Sequence, residues 1–316
     1  MNIKQLIAPA LIVGMIATSL TGCGKKVTTE SLLNDCKTNQ EKVISASEQI
    51  NMDLSINLST SGVIVPISLS SSISVAQNDQ KTAYVNGTFD FNMFDEAQSI
   101  PIEAYVEKDE NNFISYTYNN ETWSKETSEI DTDSITKLQK LIEKFDFYGY
   151  MLNKKDSITL EEDTISFNNK DCYVLNTEIN TKDFSEYLIN KIDEETIKDF
   201  EITQEEIDEA KKSIEDMTPM DFPVVCYIYK DSSLPAYLEL DLTNSLKKYE
   251  SEINELINSI SKTDDTNTED EESSSFACTF EKFKITIAFD KYNETKVEIP
   301  SDVKENAVET GLELDF

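Results

Sequence analysis

The stretch Asn51–Ser59, "NMDLSINLS", decides the fold class because its apolar and polar residues alternate. Met52, Leu54, Ile56 and Leu58 fall on one side, and the polar residues fall on the other. Successive side chains of a β-strand point to opposite faces of a sheet. A period of two therefore predicts a strand with one covered face.

Four further segments keep this period and are separated by clusters of Asn, Asp, Gly and Ser. They are "PISLSSSISV" (66–75), "YVNGTFDFNMF" (84–94), "PIEAYVEK" (101–108) and the aromatic-rich "FISYTYNNETWSKE" (113–126). Alternating runs broken by turn residues are typical of antiparallel sheets that pack one face on the core. The five segments together predict an antiparallel meander.

Apolar residues that recur every three or four positions predict helices around this meander. The first helix, at 31–47, would place Leu32, Cys36, Val43 and Ile44 near one face. Further helices are expected at 134–145, at 182–217 and along the stretch from Leu246 to Ile260.

The second half of the 182–217 stretch opens with Thr203-Gln204-Glu205-Glu206. This is the pattern of a capping box, in which the hydroxyl and the carboxylate satisfy free amides at a helix start. The sequence therefore predicts a helix start at Thr203.

The remaining strands are expected in pairs. They are "TISFNNKDCYVLNTEI" (164–179) with its turn at 168–171, "FPVVCYIYKDSSLPAYLELDL" (222–242) and "FACTFEKFKITIAFDKYNETKVEIP" (276–300). Residues 261–275, "SKTDDTNTEDEESSS", form an acidic low-complexity segment that cannot bury a core, so we expect a disordered loop.

The composition excludes several classes of function. A formal charge of −33 repels nucleic acid, so nucleic-acid binding is not expected. The chain has no histidine, which excludes a Ser-His-Asp triad and every His-ligated metal site. It also lacks glycine-rich phosphate loops. No pair among its 61 acidic residues stands out as catalytic, so we expect no enzyme activity, no metal and no cofactor.

Five cysteines occur, at positions 23, 36, 172, 226 and 278, and no two have the C-x-x-C spacing of zinc or redox sites. The last four lie in apolar patterns such as "VVCYIY", where a free cysteine behaves as a small apolar residue. We therefore expect buried thiols, with disulfide pairing as the alternative in an exported protein.

The N-terminus has the features of an export signal. Lys4 precedes the uncharged run "LIAPALIVGMIATSL" (6–20), which is shorter than the ~20 residues of a membrane-spanning helix. Leu20-Thr21-Gly22-Cys23 resembles the lipobox of bacterial lipoproteins. That resemblance implies cleavage before Cys23, acylation of its thiol (diacylglycerol, palmitate) and attachment to the extracytoplasmic face of the cell membrane. The alternative is an ordinary signal with an incidental cysteine.

Three segments of the mature chain resemble the LolA/LppX-like lipoprotein-carrier superfamily, including LppX/LprG-type lipoproteins. They are "NNFISYTYNNETWSKE" (111–126, a hairpin), "NNKDCYVLNTEI" (168–179) and "ITIAFDKYNETKVEIP" (285–300). The resemblance implies an α+β fold, in which a curved antiparallel sheet forms an incomplete β-barrel with helices on its concave side. It gives a signal peptide at 1–22, a lipidated tether at 23–31 and a single domain at 32–316.

In several relatives, the space between sheet and helices holds acyl chains. The apolar residues expected to face that space in this chain form the predicted ligand wall. They are Ile56, Phe89, Phe91, Met93, Val106, Leu138, Leu141, Val174, Val224, Ile228, Leu240, Ile285 and Ile287. The alternative is that they fill an ordinary packed core, which would make the chain a structural or protein-interaction module without a ligand.

Trp123, the only tryptophan, lies near Tyr116 and Tyr118. It either stacks on a ligand such as a sugar or covers the edge of the sheet. The sequence predicts a surface lipoprotein that binds an apolar ligand, and it leaves the identity of the ligand and the oligomeric state open.

Overall fold

The structure, a computed structural model, describes residues 27–60, 63–78, 81–94, 96–109, 112–119, 121–129, 147–200, 202–261 and 276–309. The predicted helix at 134–145 and the acidic loop, except for Ser261, lie outside the described residues.

The predicted meander forms long strands joined as hairpins. They are β1 (Ser45–Thr60), β2 (Val63–Asn78), β3 (Thr82–Met93), β4 (Glu96–Asp109), β5 (Asn112–Asn119) and β6 (Thr122–Glu129). The first two have 16 residues each, so the strands are longer than the alternating segments that predicted them. The aromatic-rich segment 113–126 is a hairpin of two strands and not a single strand.

The later strands complete a single sheet of 13 strands in the described part of the chain. They are β7 (Thr159–Leu160), β8 (Ile165–Phe167), β9 (Lys170–Asn180), β10 (Asp221–Tyr229), β11 (Pro235–Asp241), β12 (Phe276–Asp290) and β13 (Val308–Glu309). The strand order is β13-β6-β5-β4-β3-β2-β1-β12-β11-β10-β9-β7, and β8 also pairs with β9. β13 pairs with β6 in parallel, whereas the other pairs are antiparallel. The described sheet is curved and does not close, so the predicted α+β incomplete barrel is confirmed.

The helices of the described residues are short. They are α1 (Thr29–Gln40), α2 (Phe147–Asn153), α3 (Thr181–Ile189), α4 (Glu194–Asp199), α5 (Gln204–Asp216), α6 (Thr243–Lys248), α7 (Glu250–Ser261) and α8 (Ser301–Asn306). The capping box is confirmed, because Glu206 N–H donates to Thr203 Oγ1 and Thr203 N–H donates to Glu206 Oε2.

Several of the predicted element boundaries are wrong. α1 ends at Gln40, so the helix predicted to reach residue 47 is too long, and Val43 and Ile44 are not helical. β-Branched residues favour extended backbone, and Val43 packs with Ala46 and Leu234 at the start of β1. The single helix expected at 182–217 is broken into α3, α4 and α5, and the one expected from Leu246 to Ile260 is divided at Tyr249 into α6 and α7.

Another wrong boundary is the final strand pair, of which only β12 forms. After Asp290 the chain turns through Lys291 and Asn293, both at positive φ, and residues 291–300 form no strand. The Tyr292 hydroxyl donates to the Pro235 carbonyl oxygen, which fixes this turn against β11.

Two local features bend the long strands. Gly87 of β3 lies where a Cβ atom would come within 2.1 Å of the Ser72 carbonyl oxygen, so only glycine fits. A glycine inside a strand marks such a close approach of two backbones. The pairing of β1 with β12 shifts by one residue between Ser55 and Ile56, which is a bulge and increases the local twist.

The main core lies between β9, β10 and the helices α1 and α2. Its buried residues are Leu32, Leu33, Cys36, Tyr150, Met151, Ile158, Leu175, Ile179, Val224, Cys226 and Ile228. The face of the sheet that carries Val224 and Ile228 is called the inner face below. Since α1 and α2 pack on it, helices cover the concave side of the sheet at this end.

The four described cysteines are unpaired and buried, so the prediction of buried thiols is confirmed over disulfide pairing. Cys36 lies on α1, and Cys226 lies in the same core cluster on β10. Burial raises the pKa of the Cys226 thiol to about 12 and that of Cys36 further still. Both thiols are therefore neutral packing groups at physiological pH.

The helices α6 and α7 close an edge of β12 that β11 is too short to reach. The Asn254 side chain accepts from the Cys278 N–H and donates to the Cys278 carbonyl oxygen, as a neighbouring strand would. Glu250 accepts from the Phe280 N–H and Thr243 accepts from the Phe283 N–H. An exposed row of strand amides is thereby satisfied by side chains.

We predict that Val224→Phe destabilises the domain by about 1–3 kcal/mol, because Val224 is 1 % exposed and added methylenes overpack a filled core. Thermal unfolding measures the loss. The matched control is Val106→Phe, at a partly buried position of the same face, for which we expect a change within about 0.5 kcal/mol. Equal losses of stability for both variants would contradict tighter packing of the inner face at Val224 than at Val106.

Candidate functional site

The strand register places most of the predicted ligand wall on the inner face. Side chains of directly paired residues point to the same side of a sheet. Val224 pairs with Leu240, which pairs with Ile285. The row continues through β1 and β2 to Phe89 of β3. One continuous face therefore runs from β10 to β4.

Ten of the thirteen predicted wall residues share this face, by pairing and alternation. They are Ile56, Phe89, Phe91, Met93, Val106, Val224, Ile228, Leu240, Ile285 and Ile287. Val174 was wrongly assigned, because it pairs with Tyr227 and so points to the opposite face. Leu138 and Leu141 lie outside the described residues.

The inner face divides into two halves. In the first half, formed by β9 to β12, Val224 and Ile228 are fully buried under α1 and α2. In the second half, formed by β1 to β4, Phe89, Phe91 and Met93 are only partly buried. We call this second half the open half, because the described helices make their main sheet contacts with β9, β10 and β12.

The open half is apolar across several strands. Cross-strand rows such as Leu54–Leu69–Phe91 and Ile56–Ile67–Met93 present large side chains side by side. Ile100 of β4 extends the face and is 49 % exposed. The other members of these rows are partly buried, and an apolar surface that stays partly accessible is a candidate binding site.

The described part of the chain contains two shallow pockets, and neither lies between the inner face and a helix. One, of about 310 Å³, is lined mainly by polar residues of the outer face, including Ser68, Ser70 and Asp90. The other, of about 190 Å³, lies between α2 and α3 around Tyr150 and Tyr187. The enclosed cavity expected from the sequence remains a prediction.

One acidic residue lies on the apolar phase of β1 and was missed by sequence reasoning. Glu48 pairs with Val75 on one side and Phe289 on the other, at the end of the inner face near the β2–β3 turn. Burial raises the pKa of this carboxyl, since removal from water disfavours its charged form. The register of "EQINMDL", in which Glu48 precedes Ile50, Met52 and Leu54 at intervals of two, contains the signal for this position.

The aromatic residues around Trp123 lie on the outer face and pack against each other. Tyr84 and Tyr105 stack with their ring centroids 4.5 Å apart, and Trp123 lies 5.6 Å from Tyr105 and 5.2 Å from Tyr118. The Tyr84 hydroxyl donates to Glu103, 3.0 Å away. The neighbouring rings occupy much of the surface that a sugar would stack on, so this arrangement favours a role in covering the sheet.

Neither a metal centre nor a membrane-spanning helix is found among the described residues. They contain no group of three His, Cys, Asp or Glu side chains placed to hold a metal ion. None of the helices in this part of the chain is long and apolar enough to cross a membrane.

Comparison with known proteins gives structural matches only. No family model matches the chain, and no curated protein matches it. Among the solved structures that match is LprF from Mycobacterium bovis, with 10% identity, a TM-score of 0.37, and coverage of 86% of this chain and 96% of that one. A DUF1329 family protein from Desulfovibrio piger has 10% identity, a TM-score of 0.20, and coverage of 87% and 94%.

A third match is a β-barrel-like protein of DUF1849 from Brucella abortus. It has 8% identity, a TM-score of 0.15, and coverage of 63% of this chain and 86% of that one. All three scores are low, so the fold assignment rests on the strand order of this chain.

We predict that Glu48→Gln raises the midpoint of thermal unfolding at pH 7. A carboxyl whose folded pKa is raised stabilises the fold below its unfolded pKa of about 4.3, and this contribution is lost as pH rises through the folded pKa. The neutral amide introduced by Glu48→Gln avoids this loss, so the unfolding midpoints of the variant and the parent should converge below pH 4. Glu294→Gln, at an exposed position, is the control and should show no such pH-dependent difference. Equal behaviour of the two variants would contradict a raised pKa of Glu48.

Proposed function

We propose that this chain is a bacterial surface lipoprotein, anchored to the extracytoplasmic face of the membrane through lipidated Cys23, whose open half binds an apolar, acyl-chain-like ligand. The lipobox residues Leu20 to Cys23 support the anchoring. The partly exposed apolar surface of β1 to β4 supports the binding.

The observation that carries the binding proposal is the contrast between the two halves of one face. Val224 is 1 % exposed and Ile228 is 0 % exposed under α1 and α2. Phe89, Phe91 and Met93, on the same face, keep part of their surface accessible. An apolar ligand that covers them gains about 25 cal/mol for each Å² of apolar surface removed from water.

The chemistry of the face restricts the ligand class. On β1 to β3 the rows Leu54–Leu69–Phe91 and Ile56–Ile67–Met93 carry hydrocarbon and aromatic side chains, and on β4 they end at Gln98 and Glu96. These rows supply no basic group for a phosphate or carboxylate. The formal charge of −33 further disfavours an anionic ligand. Glu48, at one end of the face, is placed to hydrogen-bond a hydroxyl or amine head group. A neutral or cationic amphiphile fits these features best.

The second candidate function is a protein-interaction module without a ligand. The solid packing of α1 and α2 on β9 and β10 favours it, because that half leaves no space for a ligand. The two candidates differ in whether lipid accompanies the purified protein.

We predict that organic extracts of the purified protein contain lipid, and that Phe91→Glu removes most of it. A charge placed on the apolar face opposes ligand binding by well over the ~1.4 kcal/mol that corresponds to a tenfold change in affinity. Mass spectrometry of the extracts measures the bound lipid. Asn92→Glu, one residue away on the outer face, is the matched control and should retain it. Extracts of the parent that never contain lipid would support the interaction module.

We predict that Cys23→Ala abolishes acyl-lipid labelling and membrane association, because the thiol that accepts the lipid is removed. Metabolic labelling with an acyl precursor and membrane fractionation measure both effects. Cys278→Ala, which removes a buried thiol, is the control and should label like the parent. A Cys23→Ala protein that is processed and membrane-bound like the parent would show that the lipobox assignment is wrong.

A further inference from the structure

Two hairpin turns at one end of the sheet expose large apolar side chains. Val63 and Ile64, in the first residues of β2, are 58 % and 67 % exposed, and Phe94, after β3, is 62 % exposed. These three residues are called the tip patch below. The β1–β2 and β3–β4 turns lie at the same end, because Ile67 pairs with both Ile56 and Met93.

The β1–β2 hairpin extends past the β3–β4 turn. Val63 lies four residues past Ile67, which corresponds to about 13 Å of strand at about 3.3 Å per residue. Phe94 has a φ of 54°, a left-handed conformation that is costly for an aromatic residue. Phe94 is not part of the core, so core packing explains neither its exposure nor its backbone conformation.

The β1–β2 hairpin is also free of charge. In a chain with 28% charged residues, the stretch from Leu54 to Asn78 contains no Asp, Glu, Lys or Arg. The two strands of this hairpin therefore carry no formal charge from Leu54 to Asn78. An uncharged apolar hairpin can enter a lipid interface without the cost of removing its own charged groups from water.

The start of the described chain is directed toward the same end. At the finish of α1, Asn39 donates to the Ser232 carbonyl oxygen in the β10–β11 turn, 2.8 Å away. At its beginning, Glu30 pairs with Lys155 at 2.8 Å.

The neighbour of Lys155, Lys154, pairs with Asp183. Asp183 lies beside Asn180, which pairs with Asp221 at the far end of β10. By register, this end of β10 points in the direction of the tip patch. Cys23 lies four residues before Val27, so it can be at most about 14 Å from it.

We infer that the tip patch docks on the bilayer that holds the lipid anchor, so that Val63, Ile64 and Phe94 contact its interface. This inference rests on the anchoring at Cys23 given under the proposed function. The open half begins directly behind the tip patch, because Met93 and Ile56 lie on it. Docking of the tip places the open half next to the lipid from which its ligand is drawn.

The test uses the full lipidated chain in phosphatidylcholine vesicles, with an environment-sensitive fluorophore on a single introduced cysteine. Cys36, Cys172, Cys226 and Cys278 are buried and do not compete for the label. The probe is placed at Ile64→Cys, and the control is Lys81→Cys in the β2–β3 turn at the opposite end. We expect a blue shift and quenching by brominated lipid for the Ile64 probe and neither for the Lys81 probe. Adding Phe94→Asp should reduce the quenching of the Ile64 probe.

Vesicle flotation separates the two ways in which the inference can fail. A protein that floats with the vesicles while its Ile64 probe remains in water overturns the docking alone. Equal quenching of both probes overturns docking through the tip, since the sheet would then lie flat. A protein that does not float overturns the anchoring and the docking together. Lipid extracted from the same preparation reports on ligand binding independently.

Discussion

The structure depends on the strict alternation of side chains along the long strands β1 to β4 and β12. Alternation of period two produces one apolar face, and the register carries that face across the sheet from β10 to β4. Such a face must be covered by protein, by a ligand or by a membrane. The described helices α1 and α2 cover one half of this face with a filled core. The proposed function depends on what covers the other half.

The sequence predicted the meander because its period repeats in five segments. It did not predict the end of α1, since Val43 and Ile44 continue the helical spacing, although Val43 packs with Ala46 and Leu234 at the start of β1. The final strand pair failed for a similar reason. Val297 and Ile299 alternate with polar residues as in a strand, but the turn through Lys291 and Asn293 leaves residues 291–300 without a partner strand.

The candidate site, like the element ends, could be predicted from the sequence only in part. Ten of the predicted wall residues share the inner face because their strands alternate clearly. Val174 does not, because β9 has apolar residues in both phases: Cys172 and Val174 in one, and Tyr173, Leu175 and Ile179 in the other. The burial of Val224 beside the partial exposure of Phe91 depends on where α1 and α2 dock, which no local pattern reveals.

The central claim is that the open half, and not the outer face, contacts an apolar ligand. Photocrosslinking of the lipidated protein with a diazirine-bearing fatty alcohol, followed by peptide mass spectrometry, tests this directly. We predict labels on Ile56, Phe89, Phe91 and Met93, and none on the outer residues Ser70, Ser72 and Asn86. Labels spread equally over both faces, or absent from the open half, would contradict the claim.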